Sequence, residues 1–285
     1  MLKIGLSTNG KEINETFFKN CRDAGISCIE VSVSKSECEK LDFERLKKMS
    51  ADFGIELWSF HLPFSPFTEI DISSTDEKLR LQTVSYLSEL ILKAGEAGIR
   101  HYVIHPSGEP IDIIDRREKI ELSKKSLREL ADVAEKAGGT LLIEDLPRTC
   151  LGRSSYDMLE LLKADPRLRV VFDTNHLLGE YIPDFIEKVG PYIESLHVSD
   201  YDFWNERHWL CGEGKIDWQE VYRGLLRVGY RGPWLYEVEF KAPWSIKRSR
   251  DLNEKDFVRN AEEIFENRPI TVLGTPIEPM TFWEE

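Results

Sequence analysis

The sequence predicts a single (β/α)₈ TIM barrel followed by an extended C-terminal tail, and three observations carry that prediction. Eight short apolar, β-branched runs recur along 285 residues. Longer amphipathic segments separate most of them, and Gly commonly stands where such a segment gives way to the next run. The period is about 36 residues, the size of a βα unit in a barrel of about 250 residues. The expected division is residues 1–267 for the barrel and 268–285 for the tail.

The first run, LKIGLS at 2–7, leads to a helix over 14–24 with Phe17, Phe18 and Cys21 on one face and Gly25 beyond its end. CIEVSV at 28–33 precedes a helix over 42–53 that stops at Gly54. IELWSFH at 55–61 precedes one over 76–97, and HYVIH at 101–105 one over 112–137 that is charged along one face. TLLIE at 140–144 is followed by a Ser-capped helix over 155–163. RVVFD at 169–173 and IESLH at 193–197 come next, then an Asp-capped helix over 217–228, and WLYEVE at 234–239 completes the set. Parallel strands buried on both faces read as continuous apolar runs. Ser or Asp opening a helix and Gly just past its end satisfy the stranded backbone groups. A doubly wound sheet is the competing architecture, but TNGKEIN after the first run is not the GxGxxG of a dinucleotide fold. The last segment, RPITVLGTPIEPMTFWEE, carries three Pro and no helical period. It reads as an extended tail lying over the barrel or over a partner in a homodimer.

Hydrophobic residues make up 41% of the chain and the formal net charge is −13. An acidic surface disfavours sequence-blind binding to nucleic acid or to anionic membranes. The five Cys contain no CxxC pair and read as reduced thiols of a cytoplasmic protein. No apolar run approaches the roughly 18 residues of a membrane span.

The six His are the main chemical signal. His61, His105 and His197 end strands, His176 lies three residues after Asp173, His208 lies in the loop after the seventh strand, and only His101 begins a strand. Glu144, Asp173, Asp200, Glu237 and Glu239 share those ends. In a parallel barrel all strand C-termini open on one face, where active sites are built. Imidazoles mixed with carboxylates suit a divalent cation, Mn²⁺ or Zn²⁺ first, with Mg²⁺ or Co²⁺ as alternatives. Arg148, Arg207 and Lys215 are candidate anion-binding groups, and Trp204 and Trp209 are candidate substrate-contacting rings. Trp58 and Phe60 read as barrel filling.

HLPF (61–64), HPSG (105–108), IEDLPR (143–148), FDTNH (172–176), LHVSDYD (196–202) and ERHWLCGEGKIDW (206–218) together resemble the motifs of the xylose isomerase-like TIM-barrel superfamily. That superfamily includes sugar-phosphate isomerases and epimerases, ketose 3-epimerases, inosose dehydratases and endonuclease IV. The resemblance implies a metal site of Glu144, Asp173, His197 and Glu237, in which Glu144 and Glu237 also exchange protons with substrate. It implies that His61, His105, His176, Glu206 and His208 are candidates for further metal or substrate contacts. Two positions depart from the ketose 3-epimerase pattern: Cys150 stands where those enzymes have a substrate-binding Glu, and Phe203 where they have an Arg.

The expected function is therefore a divalent-metal-dependent isomerase or epimerase. It would move a proton through a cis-enediolate on a monosaccharide, sugar acid or inosose. The alternatives are an endonuclease IV-like zinc phosphodiesterase acting on DNA and a metal-dependent dehydratase or lyase of a keto-sugar. The loops after the first three strands are neutral or acidic, which speaks against a nucleic-acid partner.

Overall fold

The computed structural model describes residues 1–277. The barrel strands are β1 (Ile4–Ser7), β2 (Cys28–Ser32), β3 (Glu56–His61), β4 (His101–Ile104), β5 (Thr140–Glu144), β6 (Arg169–Asp173), β7 (Ile193–His197) and β8 (Trp234–Tyr236). They form one parallel sheet in which β2 through β7 follow one another and β1 lies between β2 and β8. The ring closes between β7 and β8 just past the end of β7. There Val198 N–H donates to Leu235 O at 2.8 Å, and Glu237 N–H donates to Val198 O at 3.1 Å. All eight strands lie within or close to the runs expected for them. His105 and Glu237 fall one residue past β4 and β8 rather than inside them.

The connecting helices are α1 (Glu15–Ala24), the short α2 (Lys35–Cys38), α3 (Phe43–Phe53), α4 (Glu77–Glu96), α5 (Arg116–Lys136), α6 (Ser155–Leu162), α7 (Ile182–Val189), α8 (Trp218–Arg227) and α9 (Glu254–Phe265). Side-chain caps begin most of them: Asn14 accepts from Phe17 N–H, Asp42 from Arg45 N–H, and Asp217 from Gln219 and Glu220 N–H. Gly25 and Gly54 take the left-handed conformation, with φ of 99° and 68°, and close α1 and α3. The one-turn α2 and the longer α7 and α9 lie outside the segments expected to be helical. In α7, Pro183 resembles a helix breaker but occupies the first turn, where its missing N–H is not needed. In α9, a capping box between Asn253 and Asp256 starts a helix directly after a basic stretch without apolar periodicity.

Alternate strand residues face opposite ways. Leu6, Ile29, Val31, Phe60, Tyr102, Ile143, Phe172, Leu196 and Trp234 join the helices in one continuous core. Each such buried side chain contributes about 1.5–3 kcal/mol. Val103, Leu142 and Val171 form a separate small cluster on neighbouring strands β4, β5 and β6. Glu144, on the same alternation as Leu142, lies two residues nearer the C-terminal end of β5, so that end of the barrel carries polar groups. No described helix is long and apolar enough to cross a membrane.

The described part of the tail is tied to the rest of the chain at two places. Thr271 N–H and Oγ1 donate to the Glu263 carboxylate, and β10 (Gly274–Pro276) pairs antiparallel with β9 (Ile246–Arg248) of the same chain. The remainder of the expected tail, 278–285, lies outside the described residues.

Candidate metal and sugar site

Strand β5 ends at Glu144, β6 at Asp173 and β7 at His197, while Glu237 follows β8. One ligand atom from each of these four buried residues lies within 4.8 Å of every other. His197 Nδ1 is 2.9 Å from Glu144 Oε1, 3.4 Å from Glu237 Oε2 and 4.0 Å from Asp173 Oδ2. The residues separated by more than ninety positions in the chain are brought together because their strands all open on one face.

Around Glu144 the imidazoles gather. His61 Nε2 lies 3.0 Å and His105 Nε2 3.1 Å from Glu144 Oε2. His61, Glu144 and His197 form a second group of mutually close ligand atoms. Phe64 stacks on His105 with ring centroids 4.0 Å apart and so forms part of the rim.

A third group, His176, Glu206 and His208, sits beside the first. Glu206 Oε1 is 3.3 Å from His176 Nε2 and 3.2 Å from His208 Nε2. Glu206 and His208 arrive there on a hairpin-like loop. Its neck is the pair of backbone bonds between Asp200 and Trp209, and its returning arm is tied down by Arg207 N–H donating to Asn175 Oδ1 at 2.9 Å. The Asp200 carboxylate holds the loop's return. It accepts from Gly212 N–H and Trp218 Nε1–H, each at 2.8 Å, and from Ile216 N–H at 3.2 Å. A Cβ on Gly214 would come within 2.3 Å of Asp200 Oδ1 and of Tyr201 O, so only Gly lets the backbone pass there.

The electrostatics are those of a crowded acidic pocket. Burial, with Glu237 close by, pushes the Asp173 carboxyl up to about 7 even though His176 pulls the other way. Burial opposes the charged form of His61, but its bond to Glu144 outweighs that and carries it up to about 9. Burial likewise opposes charging of His197, and the carboxylates of Glu30, Glu237 and Glu144 drive it well above the usual value. Glu144 is held well below the ordinary range by His197 and His105, against its burial.

These residues fit a divalent cation. Asp173 Oδ2 is buried and has no hydrogen-bond partner among the described residues, although it lies only 3.6 Å from His176 Nε2. An unpartnered buried carboxylate oxygen is costly. With Glu144, Glu237 and His197 beside it, Asp173 completes a set of three carboxylates and one imidazole suited to a cation such as Mn²⁺ or Zn²⁺.

Two supporting residues escaped the sequence reading. Glu30, within β2, is fully buried, and its carboxylate lies 3.0 Å from His197 Nε2 while accepting from Ser59 Oγ at 2.8 Å. Its signal was a lone acid inside the apolar run CIEVSV. Asp145 accepts from Asp173 N–H at 2.7 Å, and its carbonyl lies 2.7 Å from His176 Nδ1, which leaves Nε2 of that ring facing Glu206. The adjacent acids in IEDLPR were the available sign.

The expected substrate-contacting residues divide. Arg148 reaches the rim, where its guanidinium grips Glu109 and also bonds Glu206. Arg207 turns away from the cluster: its Nε donates to Asp202 at 2.9 Å, and its guanidinium lies over Trp209 and Trp244. Trp209 is 2% exposed, with Nε1–H donating to Ser245 Oγ, so its ring presents no face to a sugar. Trp204 remains exposed on the loop. Lys215 is exposed, and its backbone N–H is spent on Tyr201 O. Trp58 lies at the other end of the barrel, stacked on His101 with its Nε1–H on Ser195 Oγ, as a filling residue would.

Comparison with known proteins agrees with this architecture. The chain is 28% identical over 203 residues to the D-psicose 3-epimerase of Ruminiclostridium cellulolyticum, covering 67% of this chain and 66% of that one. It is 29% identical over 198 residues to an uncharacterized protein of Methanocaldococcus jannaschii, covering 66% and 67%. The fold superposes on a D-tagatose 3-epimerase-like crystal structure with a TM-score of 0.79 at 21% identity, over 93% of this chain and 98% of the other. The family model described as xylose isomerase-like TIM barrel matches residues 18–258, and the chain belongs to that family.

Proposed function

We propose that this protein is a divalent-metal-dependent sugar epimerase or isomerase that moves a proton on a carbon next to a ketose carbonyl. The observation that carries the reading is the convergence of Glu144, Asp173, His197 and Glu237 into one buried donor set with an unpartnered oxygen at Asp173. The D-psicose 3-epimerase and fructoselysine 3-epimerase among its relatives support it.

Glu144, Asp173, His197 and Glu237 would hold the cation, which when bound supplies Lewis-acid stabilisation of the charge that develops on the substrate oxygens. The chain's own residues do the rest. Glu144 and Glu237 come from β5 and from beyond β8, strands that are not neighbours in the ring, so they can stand on opposite sides of a planar carbon. One carboxylate accepts the proton as general base and the other returns one to the opposite face. His61 and His105 beside Glu144 stabilise its ionised form, which is the form a base must have. Phe64 and His105 help keep water from the reacting carbon.

The test is proton–deuterium exchange in D₂O with Mn²⁺, over a panel of ketoses, sugar acids and keto-inositols. We expect exchange at a carbon beside the carbonyl of at least one panel member. Glu144→Gln and Glu237→Gln should each lower it by at least about 10²-fold, the low end for losing a positioned proton carrier. Full exchange in both variants would overturn the reading.

A second reading has its own observation. His176, Glu206 and His208 form a further possible ligand group next to the first, as a multinuclear zinc phosphodiesterase would require. Metal analysis giving about three zinc ions per chain, with hydrolysis of abasic DNA, would favour it. One ion per chain would favour the epimerase.

A further inference from the structure

A cleft of about 520 Å³ opens beside the acidic cluster, between the loops that follow β1, β2 and β3. Its walls include Asn9, Lys11, Ser34, Lys35, His61 and Phe64, and none of Glu144, Asp173, His197 or Glu237 lines it. The space therefore lies beyond the reacting centre, and its size falls in the roughly 300–1,000 Å³ range of pockets that hold a whole small ligand. It nonetheless touches the neighbours of both proton carriers. His61 bonds Glu144, and Lys11 Nζ donates to the carbonyl of Val238, the residue after Glu237, at 2.8 Å.

Across the mouth, the Arg148 guanidinium is forked on Glu109 and tied to Glu206. A substrate seated between Glu144 and Glu237 thus has room to extend toward β1–β3. The cleft's ionic lining is balanced, Lys11 and Lys35 against Glu12 and Glu37. Lys35 is already paired with Glu69, and Glu37 is already bonded by Ser34. Such a lining matches hydroxyl-rich or zwitterionic groups better than a multiply charged anion.

We propose that this cleft receives a polar substituent on the ketose, so that the substrate is a sugar conjugate rather than a free monosaccharide. The proposal rests on the epimerase reading for the identity of the reacting end, and the experiment separates the two. Calorimetry on the Mn²⁺-loaded protein compares D-fructose with two conjugates: fructosyl-glycine, substituted at C1, and 6-O-glucosyl-fructose, substituted at C6. Proton–deuterium exchange is followed on all three. We expect one conjugate to bind at least tenfold more tightly than D-fructose and to exchange. The exposed wall positions take a cleft-filling ring in Asn9→Trp and in Ser65→Trp, and each should reduce that preference at least tenfold. Two independent variants guard against one that misfolds. A conjugate that binds with the expected preference without exchange would leave the cleft standing and overturn the epimerase. D-Fructose exchanging, with neither conjugate bound more tightly, would overturn the cleft alone, and no binding by any probe would overturn both.

Discussion

At the scale of single residues, His197 shows how the site is oriented. Both of its nitrogens are engaged: Nε2 by Glu30 and Nδ1 by the Glu144, Asp173 and Glu237 group. A carboxylate on the outer nitrogen of a ligating imidazole fixes its tautomer and ring angle. Glu30→Gln should therefore weaken Mn²⁺ or Zn²⁺ binding by about 10–100-fold, read by competition with a fluorescent chelator. Unchanged affinity would remove Glu30 from that role. Histidines at strand ends were legible in the sequence because barrel geometry sends every strand end to one face. Glu30 was not, because it sits in the middle of its run and reaches the cluster only through His197. Arg207 and Trp209 show the converse. Both sit in the right loop, but spacing does not reveal which way a loop side chain turns. The hairpin neck at Asp200 and Trp209 turns that tryptophan into the core.

At the scale of elements, the loop after β7 depends on what is packed beneath it. Glu213 in that loop accepts both Nε–H and Nη2–H of Arg248, at 2.9 and 2.6 Å, and neither side chain meets solvent appreciably. Arg248 lies on β9, whose partner β10 is the first strand of the tail. The tail thereby braces the loop that carries Glu206 and His208. Arg248→Met leaves the buried Glu213 carboxylate with the Leu210 N–H but no counter-charge, and should cost about 3–5 kcal/mol, the range for breaking one side of a buried pair. Adding Glu213→Gln should restore part of that, measured by denaturant unfolding. A single variant as stable as the parent would show that the pair does not hold the ribbon. The barrel strands were readable because each is a continuous apolar run. This ribbon was not, because IKR and GTP have neither length nor alternation.

At the scale of the whole molecule, the eightfold rhythm was legible from the runs and the glycines between them. The omissions are α2, too short to show a period, and α7 and α9, where Pro or a basic stretch masks the helical pattern. The cation and the fold should be thermodynamically linked, because a ligand that binds only the native state stabilises it by about 2.7 kcal/mol at a hundredfold excess over Kd. Mn²⁺ should raise the melting temperature of protein stripped with a chelator, and Asp173→Asn should abolish most of the rise. An equal rise in that variant would place the ion elsewhere.

The ring's clasp gives that linkage a location. β7 and β8 are fastened by bonds through Val198, and the residues on either side of the fastening are His197 and Glu237. Any opening of the cylinder along this line pulls an imidazole and a carboxylate apart, and any ion gripping both acts as a rivet across it. Amide hydrogens of Val198 and Glu237 should then report occupancy directly, exchanging slowly when the rivet is in place and fastest of the barrel's strand amides when it is withdrawn.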